Sequence, residues 1–173
     1  MRTVIPDPPP VEFEVLLARR RRCGADRHDE IWEGVYHVTP ARSMAHALVT
    51  RQLAELLAPL ARAAQLAFSA EFNLGESDDF RVPDLGLHRE PHPGIWHPVA
   101  ALVVEVISPG DETRDKLPFY AGHEVDEVLI VDPQKRAVEW LVLEHGHYRS
   151  AERSRLIELG SEELAERIDW PPT

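Results

Sequence analysis

The chain has 173 residues, enough for one domain with a full hydrophobic core and short for two. Its 30 acidic residues outnumber the 19 basic ones, and the formal net charge of -11 argues against a broad basic face for long nucleic acid. No stretch reaches the roughly 20 apolar residues of a membrane span, and the N-terminus lacks the apolar run of a signal peptide. The single cysteine, Cys23, cannot form an internal disulfide. We therefore expect one domain over residues 1–173, with its core at about 31–150, in a cytoplasmic protein with no membrane partner.

The N-terminal part of the sequence predicts a helix, a strand and a longer helix. The first helix, over residues 11–22, ends in Arg19 to Arg22, which form either a solvated helix end or a phosphate-contacting cluster. Aromatic and β-branched residues predict a strand over 31–38. Apolar residues at spacings of three and four predict a helix over 45–64 with one buried stripe, and His46 lies within this stripe.

The rest of the sequence alternates strands and loops around one helix. The predicted bounds are 65–74 and 81–88 for a hairpin, 89–98 for a loop, 99–107 for a strand, 111–121 for a helix, 127–132 for another strand, and 138–143 with Tyr148 for a last hairpin. The run over 99–107 is apolar on both faces, which places it in the middle of a sheet. This order predicts an α/β (α+β) fold, a mixed β-sheet flanked by helices.

Two carboxylates lie within strand-like, mostly apolar sequence. Asp84 follows Val82-Pro83, and Glu105 interrupts the valine-rich strand over 99–107, where it shares a face with Val103 and Ile107. An ionised carboxylate removed from water costs several kcal/mol unless a cation, a charge partner or protonation compensates it. If the two strands are neighbours, both acids converge near one end of the sheet.

Lys116 adds an ammonium group to this pair, because it lies in the first turns of the helix that follows the Glu105 strand. Two carboxylates and an ammonium suit metal-assisted phosphodiester hydrolysis, in which the acids bind one or two Mg2+ ions and the ammonium stabilises the transition state. The residue types alone leave a second interpretation equally open. In it, Asp84 caps a turn, Glu105 pairs with a buried arginine such as Arg81, and Lys116 lies on a helix surface.

Several motifs follow one another in a fixed order along the chain: Trp32-Glu33-Gly34, Thr39-Pro40, His46, Val82-Pro83-Asp84, the segment from Leu102 to Pro109, Lys116 with Tyr120, and the segment from Leu129 to Pro133. This order resembles that of the Uma2 putative restriction endonuclease family, which belongs to the PD-(D/E)xK nuclease superfamily. The resemblance covers roughly residues 31–148.

The resemblance implies a restriction-endonuclease-like core, and it implies that Asp84 and Glu105 are metal ligands with the Val106 carbonyl oxygen as a further candidate. One departure concerns the lysine that ends the superfamily motif two residues after the acid, where this chain has Ile107. A hydrophobic residue is usual at that place in this subgroup, and Lys116 is the candidate to replace the missing lysine.

His46 has two interpretations. From its helical position, a buried histidine bonded to a backbone carbonyl is the commoner outcome, whereas the family carries a histidine at this place, which implies a supporting site residue that orients a ligand or water. Glu33 is predicted to be a solvated strand-end acid or to line the mouth of the site. The remaining histidines lack zinc-ligand spacing and are predicted at the surface: His88, His92, His97, His145 and His147.

The favoured function is a metal-dependent endonuclease that uses Mg2+, or Mn2+, and acts on DNA as a homodimer, whose symmetry can place two active sites on two strands. A second hypothesis is a non-catalytic domain of nuclease fold that binds a protein or nucleic-acid partner. A third is a metal-free hydrolase in which Asp84 and Glu105 are an acid/base pair, as in glycosidases. It ranks last because a glycan site usually needs aromatic platforms, and the four tryptophans are scattered along the sequence.

Overall fold

The computed structural model describes residues 3–5, 11–39, 41–108, 110 and 112–172, with backbone only at 3–5 and at Glu12. Pro40 and Pro109, which belong to the quoted motifs, and Asp111, where the helix over 111–121 is predicted to start, lie outside these residues. No helix among the described residues is long and apolar enough to cross a bilayer.

Within the described ranges the chain forms four α-helices, one 3-10 helix and twelve strands. The helices are α1 (Val11–Cys23), α2 (Met44–Ala63), the 3-10 helix (Thr113–Lys116), α3 (Leu117–Gly122) and α4 (Ser161–Arg167). The strands are β1 (Thr3–Ile5), β2 (Glu30–Trp32), β3 (Val35–Val38), β4 (Ala67–Ser69), β5 (Asn73–Glu76), β6 (Asp79–Arg81), β7 (Leu85–His88), β8 (Trp96–His97), β9 (Leu102–Val106), β10 (Glu127–Asp132), β11 (Ala137–Glu144) and β12 (His147–Ala151).

The strands form two mixed sheets rather than one. The first has the order β1-β3-β2-β6-β5-β8, and the second has the order β12-β11-β10-β9-β7-β4. In the second sheet β9 and β10 are parallel, while β7 runs antiparallel to β9. The predicted mixed α+β class is confirmed, and the division of the strands between two sheets is the feature that the sequence pattern did not reveal.

Two predicted strands are wrong in their continuity. The strand over 31–38 is a hairpin of β2 and β3, because Glu33 and Gly34 both have positive φ, 49° and 81°, as a tight hairpin turn requires. The strand over 81–88 is split between the two sheets, with β6 in the first and β7 in the second. Pro83 lies at this break, where its missing amide hydrogen cannot continue a ladder.

The hairpin predicted from 65–74 and 81–88 is correspondingly divided. β5 pairs with β6 in the first sheet, while β4 pairs with β7 in the second. The loop predicted over 89–98 contains the short strand β8. The helix predicted over 111–121 begins as the 3-10 helix and continues as α3, with Pro118 in its first turn, where proline is tolerated.

The second sheet is covered on both faces, which explains why β9 is buried at all five residues. On one face, Leu53 and Leu57 of α2 belong to the core cluster that includes Val104 and Trp140. A second core cluster, which includes Val103 and Tyr120, is separate from the first. This burial confirms that the run over 99–107 belongs in the middle of a sheet, and it means that polar groups on β9 need internal partners.

His88 is buried, so its predicted surface position is wrong. It is 4% exposed, and its Nε2 atom lies 2.8 Å from the Ser69 hydroxyl across the β4–β7 pair. The ring also makes an edge contact with Phe72. Burial lowers the pKa of His88, and the nearby His97 lowers it further.

Gly86 in β7 is expected to tolerate no side chain, because a methyl group there would lie 2.3 Å from the buried Phe72 ring. We expect Gly86→Ala to reduce the free energy of unfolding by about 1–3 kcal/mol, as overpacking of a core does. Urea denaturation measures the change. Gly122→Ala is the matched control, because nothing lies within 4 Å of its added carbon, and equal stability of the two variants would contradict this packing.

Candidate active site

The two acids lie side by side at one end of the second sheet. Asp84 immediately precedes β7, Glu105 is in β9, and the two strands are antiparallel neighbours with Leu85 opposite Val104. The Asp84 amide donates to the Val104 carbonyl oxygen at 3.1 Å, and the Val106 amide donates to Asp84 Oδ2 at 2.7 Å. The backbone of β9 therefore fixes Asp84 beside the segment that carries Glu105.

A cleft of about 150 Å³ opens at this end of the sheet. Its walls include the predicted site residues Asp84, Glu105, Lys116 and His46, together with Val106. Glu33 is exposed on the β2–β3 turn and is not among the residues that line this cleft.

Asp84 is almost completely buried and is held as an anion. Burial by itself would raise the pKa of Asp84, but the hydrogen bond and charge of His46, the charge of Arg42 and the Val106 amide together lower it. The Arg42 guanidinium nitrogen Nη2 lies 2.7 Å from Asp84 Oδ1. Sequence analysis missed Arg42, since nothing in its local sequence distinguishes it from a surface arginine.

His46 connects Asp84 to the other wall of the cleft. Ser43 caps the start of α2 by accepting the His46 amide hydrogen at 3.1 Å. The ring places Nε2 3.1 Å from Asp84 Oδ1 and Nδ1 3.1 Å from the Ser108 hydroxyl oxygen. Because an ionised carboxylate only accepts, Nε2 carries the hydrogen in the Asp84 contact. The ring thus bonds side chains rather than a backbone carbonyl, which suits a residue that orients Asp84.

Glu105 points from β9 toward the 3-10 helix and α3. Its Oε1 atom accepts from the Lys116 ammonium at 3.0 Å and from the Tyr120 hydroxyl in a short hydrogen bond. Burial raises the pKa of Glu105 to about 7; the Lys116 charge opposes this, while the charges of Asp84 and Glu30 add to it. Glu105 is therefore poised between protonated and ionised forms near neutral pH.

Lys116 bridges two buried acids. Its Nζ atom donates to Glu30 Oε1 at 2.8 Å as well as to Glu105. Burial would lower the pKa of Lys116, but the two carboxylates raise it overall, so the ammonium is charged. Lys116 is therefore not an exposed residue on a helix surface. Arg81, the alternative partner considered for Glu105, pairs with Asp79 instead.

Glu30 is the buried acid that sequence analysis missed. Glu30 begins β2, just before the predicted strand over 31–38, and accepts from three groups: Lys116, the Val82 amide and the Trp32 indole. Burial would raise the pKa of Glu30, but Lys116 and these donors lower it. The available signal was its position two residues before Trp32, which puts both side chains on one strand face.

We expect the raised pKa of Glu105 to make the free energy of unfolding of the metal-free protein depend on pH. Because this pKa is raised above its unfolded value near 4.5, the folded state holds a proton on Glu105 between roughly pH 4.5 and 7, so the stability that Glu105 contributes is lost as pH rises through this window. The contribution of Glu105 to the free energy of unfolding changes by at most about 1.4 kcal/mol per pH unit. Urea denaturation of the wild type and Glu105→Gln from pH 5 to 8 measures it.

The glutamine variant has no proton to release at this position, so its stability should fall less across the same pH window. Parallel stability profiles for the two proteins would contradict the raised pKa of Glu105.

The oxygen donors of this cleft fit a magnesium or manganese ion. Carboxylate and carbonyl oxygens are the ligands that these ions prefer, and both Asp84 and Glu105 are already paired with internal cations, Arg42 and Lys116. In the part of the chain that the structure describes, no three His, Cys, Asp or Glu side chains form a metal-ligand cluster. Mg2+ needs no such cluster, because it usually takes one or two carboxylates and completes its shell with waters and substrate phosphate.

Comparison with known proteins places this chain in a family. The model of the Uma2 family, described as putative restriction endonuclease, matches residues 13–169. A crystal structure of a putative nuclease belonging to DUF820 from Anabaena variabilis ATCC 29413 has a TM-score of 0.65 and 14% identity, covering 80% of this chain and 90% of that one. At this identity the likeness shows the fold alone, and no curated protein matches the chain. Since the family model spans most of its length, the chain belongs to the Uma2 family of putative restriction endonucleases.

Proposed function

We propose that this protein is a metal-dependent endonuclease that hydrolyses phosphodiester bonds in DNA. The observation that carries the proposal is the convergence of Asp84 and Glu105 in one cleft, with the Lys116 ammonium 3.0 Å from Glu105. Membership of the Uma2 family supports a nuclease, and the nuclease-like fold is consistent with it. Mg2+, or Mn2+, is the proposed cofactor.

Asp84 and Glu105 would hold the ion through carboxylate oxygens, with the Val106 carbonyl oxygen as a third donor. A divalent ion bound there would lower the pKa of water and neutralise charge on the phosphate. His46 orients the Asp84 carboxylate by its 3.1 Å contact, and Ser108 fixes the far side of the ring. These residues keep the acid in place while substrate enters.

Lys116 is the proposed electrostatic catalyst. An ammonium has three donors, and two of them go to Glu30 and Glu105. We assign the third to a phosphoryl oxygen of the substrate, where a fixed positive charge stabilises the negative charge that develops in the transition state. Lys116 thereby takes the role of the motif lysine that Ile107 replaces.

DNA cleavage tests the proposal. We expect the wild type to nick or linearise supercoiled plasmid in the presence of Mg2+ or Mn2+, and we expect EDTA and Glu105→Gln each to stop it. Glu127→Gln is the matched control, because Glu127 is a buried glutamate of the neighbouring strand β10 that accepts from Ser154 and the Arg155 amide outside the cleft. A parallel assay on RNA of the same length tests the choice of DNA.

A non-catalytic partner-binding domain remains the second candidate. It is favoured by the pairing of both acids with internal cations, which compensate the buried charges without a metal. Wild-type protein that binds neither Mg2+ nor Mn2+ at millimolar concentration, and leaves DNA intact, would support this function over the nuclease.

A cytoplasmic homodimer completes the proposal. The chain is acidic overall, and two copies related by symmetry would place two clefts on two DNA strands. Sedimentation velocity measures the oligomeric state. We expect a dimer, and a monomer at micromolar concentration would contradict the proposal.

The arginine cluster at the end of α1 is only partly free to contact phosphate. Arg20 is bound to Asp29, whereas Arg19, Arg21 and Arg22 are exposed.

A further inference from the structure

The guanidinium of Arg42 lies where a cation would approach Asp84. Nη2 is 2.7 Å from Asp84 Oδ1, and Nη1 pairs with Glu71 Oε1 in a short contact. The Arg42 side chain is 20% exposed while that of Asp84 is 3% exposed. Arg42, which lines the cleft, therefore spans from the buried Asp84 to the exposed Glu71.

The other partners of Asp84 are fixed by the fold. The Val106 amide belongs to β9, and the His46 ring is held from behind by Ser108 and by its place in the first turn of α2. Arg42 is different, because it precedes α2 and reaches Asp84 through a long, partly exposed side chain. Of these three partners of Asp84, the Arg42 guanidinium is therefore the one that an incoming ion can displace.

Glu71 gives the guanidinium a place to remain after it leaves Asp84. Glu71 is 39% exposed and also lies 3.3 Å from His28. A guanidinium that keeps this partner stays close to the cleft that Arg42 lines, and its planar donors suit bidentate contact with phosphate. Loss of the Asp84 contact therefore leaves a phosphate-binding group beside the proposed metal site.

We propose that Arg42 occupies the place of the divalent metal at Asp84 in the metal-free protein, and that metal binding displaces it toward Glu71, where it contacts the substrate phosphate. This inference rests on the proposed nuclease function, because it requires a metal at Asp84. It adds a residue whose positive charge compensates Asp84 when the metal is absent and positions phosphate when the metal is present. Metal and guanidinium then compete for one carboxylate.

Isothermal titration calorimetry with Mn2+ as the only ligand tests the competition without any substrate. We expect Arg42→Gln to bind Mn2+ about fivefold more tightly or better, because the competing cation is gone. Arg42→Met should show the same gain. Arg51→Gln is the matched control, since it removes an equal charge from the exposed Arg51–Glu55 pair of α2, and its affinity should equal that of the wild type.

The sign of the effect separates this role from a structural one. If Arg42 only held Asp84 in position, its removal would weaken Mn2+ binding, and a weaker or unchanged affinity in both Arg42 variants would overturn the inference. The gain should persist at about 0.5 M NaCl, where long-range repulsion is screened; a gain that vanishes there would also overturn it. Wild-type protein without Mn2+ binding would instead overturn the proposed function, and this inference with it.

Discussion

Asp84→Asn is expected to reduce Mg2+ and Mn2+ affinity by at least about 100-fold and the rate of DNA cleavage by about 10³-fold or more. Asparagine offers one neutral oxygen where Asp84 offers two charged ones. That single oxygen cannot accept from both the Val106 amide and the His46 ring, which bond opposite oxygens of the carboxylate. We therefore also expect a loss of about 1–3 kcal/mol in the free energy of unfolding. Calorimetric titration, plasmid cleavage and urea denaturation measure the three effects.

Asp132→Asn is the matched control for this substitution. Asp132 is also buried and lies at the end of β10, but it accepts from the Gln134 and Lys135 amides through one oxygen, which an asparagine retains. Its metal affinity and cleavage rate should equal those of the wild type. Metal binding that survives in Asp84→Asn, or that is lost equally in Asp132→Asn, would contradict a site centred on Asp84.

Lys116→Met is expected to cost about 3–5 kcal/mol of stability at pH 8, because it leaves Glu30 and Glu105 buried without their shared cation. The cost should be smaller at pH 5.5. The pKa of Glu105 is already raised to about 7, and removal of the Lys116 charge would raise it further, so Glu105 takes up a proton as pH falls and the buried charge disappears. Urea denaturation at the two pH values measures the difference.

Two comparisons separate this effect from a general loss of charge. Lys135→Met removes an exposed lysine that pairs with Asp132 and should cost close to nothing. The double variant Glu30→Gln with Lys116→Met should be more stable than Lys116→Met alone at pH 8, since one uncompensated carboxylate is removed. Additive costs in the double variant, or an equal cost of Lys116→Met at both pH values, would show that the three groups do not form one network.

The elements with a strong hydrophobic pattern were predicted well. The buried stripe of α2 and the apolar runs of β9 and β10 have one dominant period each, and their observed bounds differ little from the predicted ones. The hairpin of β2 and β3 was missed because its turn needs positive φ at Glu33, a residue that rarely adopts it. The division between two sheets depends on how strands pair across the chain, which local periodicity does not encode.

The site residues that sequence analysis could predict were the acidic residues within otherwise apolar, strand-like sequence. Asp84 and Glu105 were found in this way, and the family resemblance singled out Lys116 and His46. Their roles stay a proposal, although the structure brings all four into one cleft. Glu30 was missed because its partner Lys116 is 86 residues away in sequence. Arg42 was missed because only the fold shows that it reaches a buried acid.

The most direct test of the proposed site is a crystal structure with Mn2+, located by its anomalous scattering. We predict one peak within about 2.5 Å of a carboxylate oxygen of Asp84 and of Glu105, with the Arg42 guanidinium turned away from Asp84. A crystal saturated with Mn2+ that shows no peak beside these two acids would contradict the metal-dependent nuclease that we propose.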